Sequence, residues 1–517
     1  YPKMYLLKKK KNDFLINGKI NHKKFNVEKK NLALFIKPYL PEIDIKELKL
    51  SSSNNFSFKI NQRFEITDFK LDSKVKIENL LISNELNLKK FLPDINDSLN
   101  FSDHEFIIKY FKGNLDLNGK GNIFIKDKKN IFTYSVNEKN NNLDFKTSLK
   151  INDNPLKIDF LNYEKNEALI QVEGSKNKKN ETFIKIFSIN NNKDQIKIEN
   201  LYLNKKFEVI KLGLVSLDYI DNEKQKNKIK IIQKKNQYIL KGTFFNANKL
   251  VDNLLSDNAD TNFLNINSKI KINIDEVRLD NKNNLFDFIG NISFKNKEIV
   301  KANLDGHFSN NKKLKFTVNT LDNNKITTLY VDKAEPIVKR YKFIKGFEEG
   351  LLDFYSSKKS GESISKLKIY DFKLKELPLL TKILTLASLQ GIADILSGEG
   401  IRFDEFEMNF KNKENLMTID EIYAIGPAIS ILMDGYVEKN KLISLRGTLV
   451  PATTINKFIG SLPILGKILV GSKTGEGVFG VSFKIKGPPK KLETTVNPIK
   501  TLTPRFITRT LEKIKKN

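Results

Sequence analysis

Apolar and polar positions alternate in short runs along most of the chain. Leu115-Asp116-Leu117-Asn118-Gly119, Lys269-Ile270-Lys271-Ile272-Asn273-Ile274 and Lys313-Leu314-Lys315-Phe316-Thr317-Val318 each put Ile, Leu, Phe or Val on one side and Lys, Asn, Asp or Thr on the other. A period of two is the signature of a strand with one dry and one wet face. Turn-forming clusters such as Asn140-Asn141-Asn142 and Asn281-Lys282-Asn283-Asn284 separate the runs, and strands recur roughly every 12 to 20 residues. Short helices are expected at 247–255 and 334–341. The chain is therefore expected to be mainly β: an elongated, antiparallel sheet that grows strand by strand from many repeated strands, with a few short helices. On the order of 25 strands at about 4.8 Å each would reach roughly 120 Å as an upper bound. The dry side supplies candidate groove residues: Ile270, Ile272, Ile274, Leu314, Phe316 and Val318, then Phe479, Val481, Phe483 and Ile485.

The texture changes near residue 366, which divides the chain into a repetitive strand region (1–365) and a C-terminal region (366–517). Residues 378–396 read as an apolar helix near the C-terminal end, opened by Pro378 and ended by Gly398 and Gly400. Leu379, Ile383, Leu386, Leu389 and Leu396 share its wide apolar face, which calls for burial or contact with lipid. Lys382 and Asp394 argue against a membrane span. Strands are expected at 403–410, 429–437 and 442–450, and again at 479–485. The apolar stretch 453–470 is broken by Gly460, Pro463 and Gly466, and the tail 504–516 reads as a basic amphipathic helix with Ile507, Leu511 and Ile514 aligned.

Composition narrows the chemistry. The 517 residues contain no cysteine, which removes disulfides and thiolate metal sites, and the histidines, His22, His104 and His307, lie far apart. No Ser-His-Asp set, metal cluster or convincing carboxylate pair stands out, so neither catalytic residue, cofactor nor metal is expected and the chain is not read as an enzyme. The formal charge of +29 invites a nucleic-acid reading. The lysines are instead spread along strands beside Asn and Asp, with no nucleic-acid-binding signature, so no nucleic-acid partner is expected. An anionic membrane surface is at least as good a use of the charge. No run of about 18 uninterrupted apolar residues suggests a transmembrane helix. GKILVGSKTGEG, 466–477, almost spells a phosphate-binding loop, but Ser472 separates Gly471 from Lys473, and an alternating strand follows where that motif needs a helix.

The C-terminal region also resembles a known family. LKELPLLTKILTLASLQGIADILSGEGIRFDEFEMNF (374–410), AIGPAISILMDGYVE (424–438), RGTLVPATTINKFIGSLPILGKILVG (446–471), GEGVFGVSFKIKGP (475–488) and VNPIKTLTPRF (496–506) are similar, in this order, to the AsmA-like C-terminal region. INIDEVRLDNKNNLFDFIGNISF (272–294) resembles the preceding strand region more loosely, and the first 250 or so residues match in texture alone. The resemblance implies a bridge-like lipid transfer protein of the YhdP/TamB type. Such a protein would fold as a long, curved antiparallel β-sheet forming a groove with an apolar inner face. It would be periplasmic and would move phospholipid between the inner and outer membranes of a Gram-negative envelope along that groove. It would be held in the inner membrane by an N-terminal helix that this chain lacks. Phospholipids, membrane surfaces and envelope proteins would be its partners. The alternative is a non-transporting scaffold for envelope assembly, with a dry, filled core in place of an open trough.

Overall fold

A computed structural model describes residues 3–8, 14–27, 44–83, 88–140, 142–179, 181–192, 194–235, 237–255, 268–296, 298–340, 345–376, 381–383, 400–451, 480–489 and 491–499. The described residues are mainly β, with 29 strands. Of these, 27 belong to long antiparallel ladders, and two form a small hairpin, Leu156–Ile158 with Tyr163–Lys165. The strands expected around Leu115, Ile272, Phe316 and Phe406 are present as Asn114–Ile125, Lys269–Asp280, Lys313–Leu321 and Ile401–Lys413. Helices at Asn248–Leu255 and Glu335–Val338 occupy the two expected positions.

The chain forms two compact units, Tyr1–Ser268 and Lys269–Asn517. The change of texture read at 366 falls inside the strand Glu362–Glu376. In each unit, strands that follow one another in sequence pair with each other. In the first unit the ladder runs from Lys3–Lys8 to Asn142–Ile151, steps over the small hairpin to Ala168–Lys176, and continues to Gln237–Asn246. In the second it runs from Lys269–Asp280 to Glu493–Ile499.

Local chemistry explains the simple order. Lys112-Gly113, Asp322-Asn323 and Ser360-Gly361 have positive φ at both residues and are enclosed by the pairs Phe111–Asn114, Leu321–Asn324 and Lys359–Glu362. This is the two-residue turn whose twist matches that of the flanking strands. A second device recurs in the first unit. In Asn61–Glu65, Asn177–Glu181, Asn204–Glu208 and Asp221–Gln225, the first side chain accepts hydrogen bonds from the backbone N–H groups two and four residues later. Each loop is thus fixed from within, and each returns the chain beside the strand it has just left.

Alternation breaks where a residue inside a strand adopts the left-handed region, as do Asp103 (φ 51°), Asn200 (φ 56°) and Asp371 (φ 50°). Short polar side chains tolerate this conformation. Side chains three apart across the break then share a face: Phe101 and His104 touch at 5.5 Å, and Phe372, beyond Asp371, reaches both its own partner Phe403 at 5.3 Å and Phe406, the partner of Ile369, at 6.5 Å.

Of the helix expected at 378–396, the described residues are 381–383. They are helical, and Ile383 is buried. Leu379, Leu386, Leu389 and Leu396 lie outside the described residues, as do Phe479, the Gly-rich stretch 466–477 and the tail 504–516.

Candidate functional site: two apolar sheet faces

In the second unit, direct cross-strand partners trace a row through every strand of the ladder. The row is Ile272, Gly290, Leu304, Phe316, Leu329, Phe354, Leu367, Met408, Ile422, Met433, Gly447, Phe483 and Val496. Opposed residues in an antiparallel ladder point to the same side, so the row is apolar from end to end. A flanking row carries Ile274, Phe288, Gly306 and Leu314, then Val331, Leu352, Ile369, Phe406, Ala424, Ile431, Leu449 and Val481. The other flank carries Ile270, Ile292, Ala302 and Val318, and later Ile419, Leu445 and Ile485, with a hydroxyl patch of Thr327, Ser356 and Ser365 between them. Nine of the ten groove candidates therefore share one face; the tenth, Phe479, is outside the described residues.

Burial grades across that face. Ile274, Leu314, Val331, Leu352, Ile369, Leu449 and Val481 are buried, whereas Leu304, Phe316, Leu329, Phe354, Leu367 and Met408 are half-exposed. Of the remaining candidates, Ile270 is half-exposed, and Ile272, Val318, Phe483 and Ile485 are buried. The deep side is closed by Phe347, Phe372 and Phe403, whose rings stack at 5.3 Å spacings.

The opposite face is charged. Asp305, Lys315, Tyr330, Asp353, Lys368 and Glu407 form one cross-strand row there. Glu407 is buried between Lys366 (3.0 Å) and Lys368 (3.4 Å) and accepts a hydrogen bond from Asn409. Burial pushes its carboxyl up, but the hydrogen bonds and the two ammonium groups outweigh it and hold the pKa at about 2.

The first unit repeats the two-faced plan without a strong signal from any single segment. Val75, Phe106, Gly119, Tyr134, Thr147 and Val172 are direct cross-strand partners on its apolar face. A cavity of about 1150 Å³ opens there, and a second of about 850 Å³ is lined by Phe56, Leu71, Tyr110 and Leu115. Gly119 is required: a Cβ would lie 2.6 Å from the Phe106 side chain and 2.7 Å from the Tyr134 ring. His104 is buried here, stacked 5.7 Å from Tyr134, with Nε2 3.0 Å from the Asn122 carbonyl oxygen. Burial lowers its pKa against the opposing pull of that carbonyl and of Asp103, and raises the Tyr134 phenol to about 12. Both are neutral near pH 7 and serve as apolar wall. One end of the face is polar: His22, Ser52, Asn54 and Ser73 hydrogen-bond to one another.

These aromatic walls were not among the residues singled out from the sequence. Phe132-x-Tyr134-x-Val136 and Phe106-x-Ile108-x-Tyr110 carry the same alternation, and would have been found by applying it evenly. His104 is in phase with Phe106, Ile108 and Tyr110 and would have been found with them; the break at Asp103 instead puts Phe101 out of phase with that run. Among the described residues, no group of three His, Cys, Asp or Glu side chains could hold a metal ion, and no helix is long and apolar enough to cross a membrane. The arrangement suits binding of extended apolar groups. No family model matches the chain, and neither a curated protein nor a solved structure does.

Proposed function

We propose that the chain is an AsmA-like, bridge-like lipid transfer protein whose apolar sheet face carries the acyl tails of phospholipid. The observation that supports this most directly is the apolar row from Ile272 to Val496, with half-exposed side chains at Leu304, Phe316, Leu329, Phe354, Leu367 and Met408. Half-exposed Phe, Leu and Met side chains leave apolar surface in water, and each methylene of a tail laid against them gains about 0.8 kcal/mol. A tail moving from strand to strand meets Leu, Phe or Met at each of these steps, so no single position holds it strongly. The headgroup stays in water, because burying its charge unpaired would cost far more. The proposed setting is the periplasm, between the two membranes of the envelope.

Lipid extracted from the purified chain tests the reading. Ile272→Asp with Phe316→Asp places two carboxylates in the row; Lys271→Asp with Lys315→Asp places two on the charged face. With both variants folded by circular dichroism, the first is expected to lose bound lipid and lipid transfer, and the second to keep them. Equal lipid content and equal transfer would replace conduction with the envelope-scaffold reading.

A further inference from the structure

Two loops of the first unit expose phenylalanine where neither the backbone nor packing asks for it. In Asn61-Gln62-Arg63-Phe64-Glu65 and Asn204-Lys205-Lys206-Phe207-Glu208, the Phe N–H donates to the carbonyl of the leading Asn, at 3.0 and 2.9 Å. The Phe itself is left-handed, with φ 59° and 58°. A turn closed by a left-handed residue is the usual three-residue hairpin loop, and that last position ordinarily holds glycine. A bulky ring there is unfavourable for the backbone. Yet Phe64 is 85% exposed and Phe207 65%. Single exposed apolar residues are commonplace; the same residue recurring at the same strained position of the same loop is not. In the related loop Asp221–Gln225, at the opposite ends of the strands, the position is Lys224, also left-handed.

The surroundings complete the picture. Ile66 follows the first loop and Val209 and Ile210 follow the second, all exposed. Arg63, Lys205 and Lys206 immediately precede the rings and are exposed. Glu65 and Glu208 are engaged by the Asn61 and Asn204 amides at 2.8 Å. The pairing register places both loops on the same strand ends of the ladder, the ends that also carry the Lys112-Gly113 turn. An apolar ring beside exposed cations fits a surface that is anionic at the headgroups and apolar just beneath.

We propose that these two loops are membrane-contacting tips: Phe64 and Phe207 enter the boundary between headgroups and acyl chains of an anionic bilayer, while Arg63, Lys205 and Lys206 meet its phosphates. The proposal does not rest on lipid conduction. A chain that binds vesicles but carries no extractable lipid would keep this proposal and lose the other.

Cosedimentation of the full chain with vesicles of phosphatidylglycerol and phosphatidylcholine in equal parts, and with phosphatidylcholine alone, tests it. Binding is expected to the mixed vesicles and to be much weaker to the neutral ones. Phe64→Asn with Phe207→Asn suits the left-handed backbone, so thermal unfolding should not fall, while binding should drop about tenfold, the scale of a few interfacial contacts. Lys205→Gln with Lys206→Gln should weaken binding similarly. Lys126→Gln with Lys224→Gln, at the opposite strand ends, removes the same charge and should leave it near wild type. Undiminished binding by the Phe double variant, equal loss in both lysine pairs, equal binding to neutral vesicles, or no binding to the mixed vesicles would each overturn the proposal.

Discussion

The first unit holds a buried amide network, and the second a stack of phenylalanines. In the first, Asp221 accepts from the side chains of Asn227 (3.1 Å) and Asn246 (2.8 Å), and the Asn227 side chain accepts from the Asn246 backbone (2.7 Å). All three are buried. In the second, Phe347, Phe372 and Phe403 stack beside the buried flank of the apolar row. The two kinds of packing fail differently. A stack loses contact area when one ring is removed. A network loses partners and leaves buried polar groups unsatisfied. The difference teaches that one strand pattern can terminate in two kinds of core, and that the candidate binding face can stay half-exposed beside either.

The largest expected effect is on the stack. Phe372→Ala removes the ring held between Phe347 and Phe403, and should destabilise the second unit by about 3–5 kcal/mol, the usual cost of deleting a buried aromatic. Urea unfolding followed by hydrogen exchange should show the loss in 269–376 and 400–451 before the first unit responds. Simultaneous loss in both units would mean that they do not unfold separately.

The amide network should yield somewhat less. Asn227→Leu strips a partner from Asp221 and from the Asn246 N–H, at about 1–3 kcal/mol for each group left unsatisfied. Hydrogen exchange should rise at 217–229 and 246–251. An unchanged midpoint would show that water enters and replaces the amide, and would make the network a weaker closure than the stack.

Acid should separate the units more gently. His104 has a depressed pKa, so the unfolded chain binds more protons; its contribution is full above the ordinary value of 6.5 and fades as pH falls below it. Glu407 is depressed to about 2 from 4.5, so its contribution is full above 4.5 and is lost as pH falls towards 2. The first unit should therefore begin to weaken at a higher pH than the second. His104→Gln should flatten the upper part of the profile and Glu407→Gln the lower part. The reverse order in pH-dependent unfolding would break the assignment.

The smallest effect should come from the turns. Asp322→Gly places the least restricted residue at φ 48°, and should change stability by less than about 1 kcal/mol with the register of Leu321 and Asn324 retained. A displaced register in the adjoining strands, seen by amide exchange, would show that the aspartate side chain and not the backbone conformation holds this hairpin.

The strands, their two faces and most turns were legible in the sequence because each depends on residues within a few positions. Ile272, Phe316 and Phe483 could be assigned to dry sides one strand at a time, since successive side chains must point oppositely along an extended backbone. Asn, Asp and Gly marked the reversals because they tolerate positive φ. Which dry sides join into one face is a matter of pairing. The register that sets Phe316 between Leu304 and Leu329, and Phe483 between Gly447 and Val496, was decided only when whole strands aligned. The interruptions at Asp103, Asn200 and Asp371 were equally out of reach, because an aspartate or asparagine inside a strand reads as one more wet-face residue until neighbouring strands require the bend. Burial followed from tertiary structure too. Leu314 and Phe316 stand two residues apart on the same face, one buried and one half-exposed, and local sequence makes no distinction between them. Alternation fixes the side on which a residue points; what lies on that side depends on residues far away in the chain.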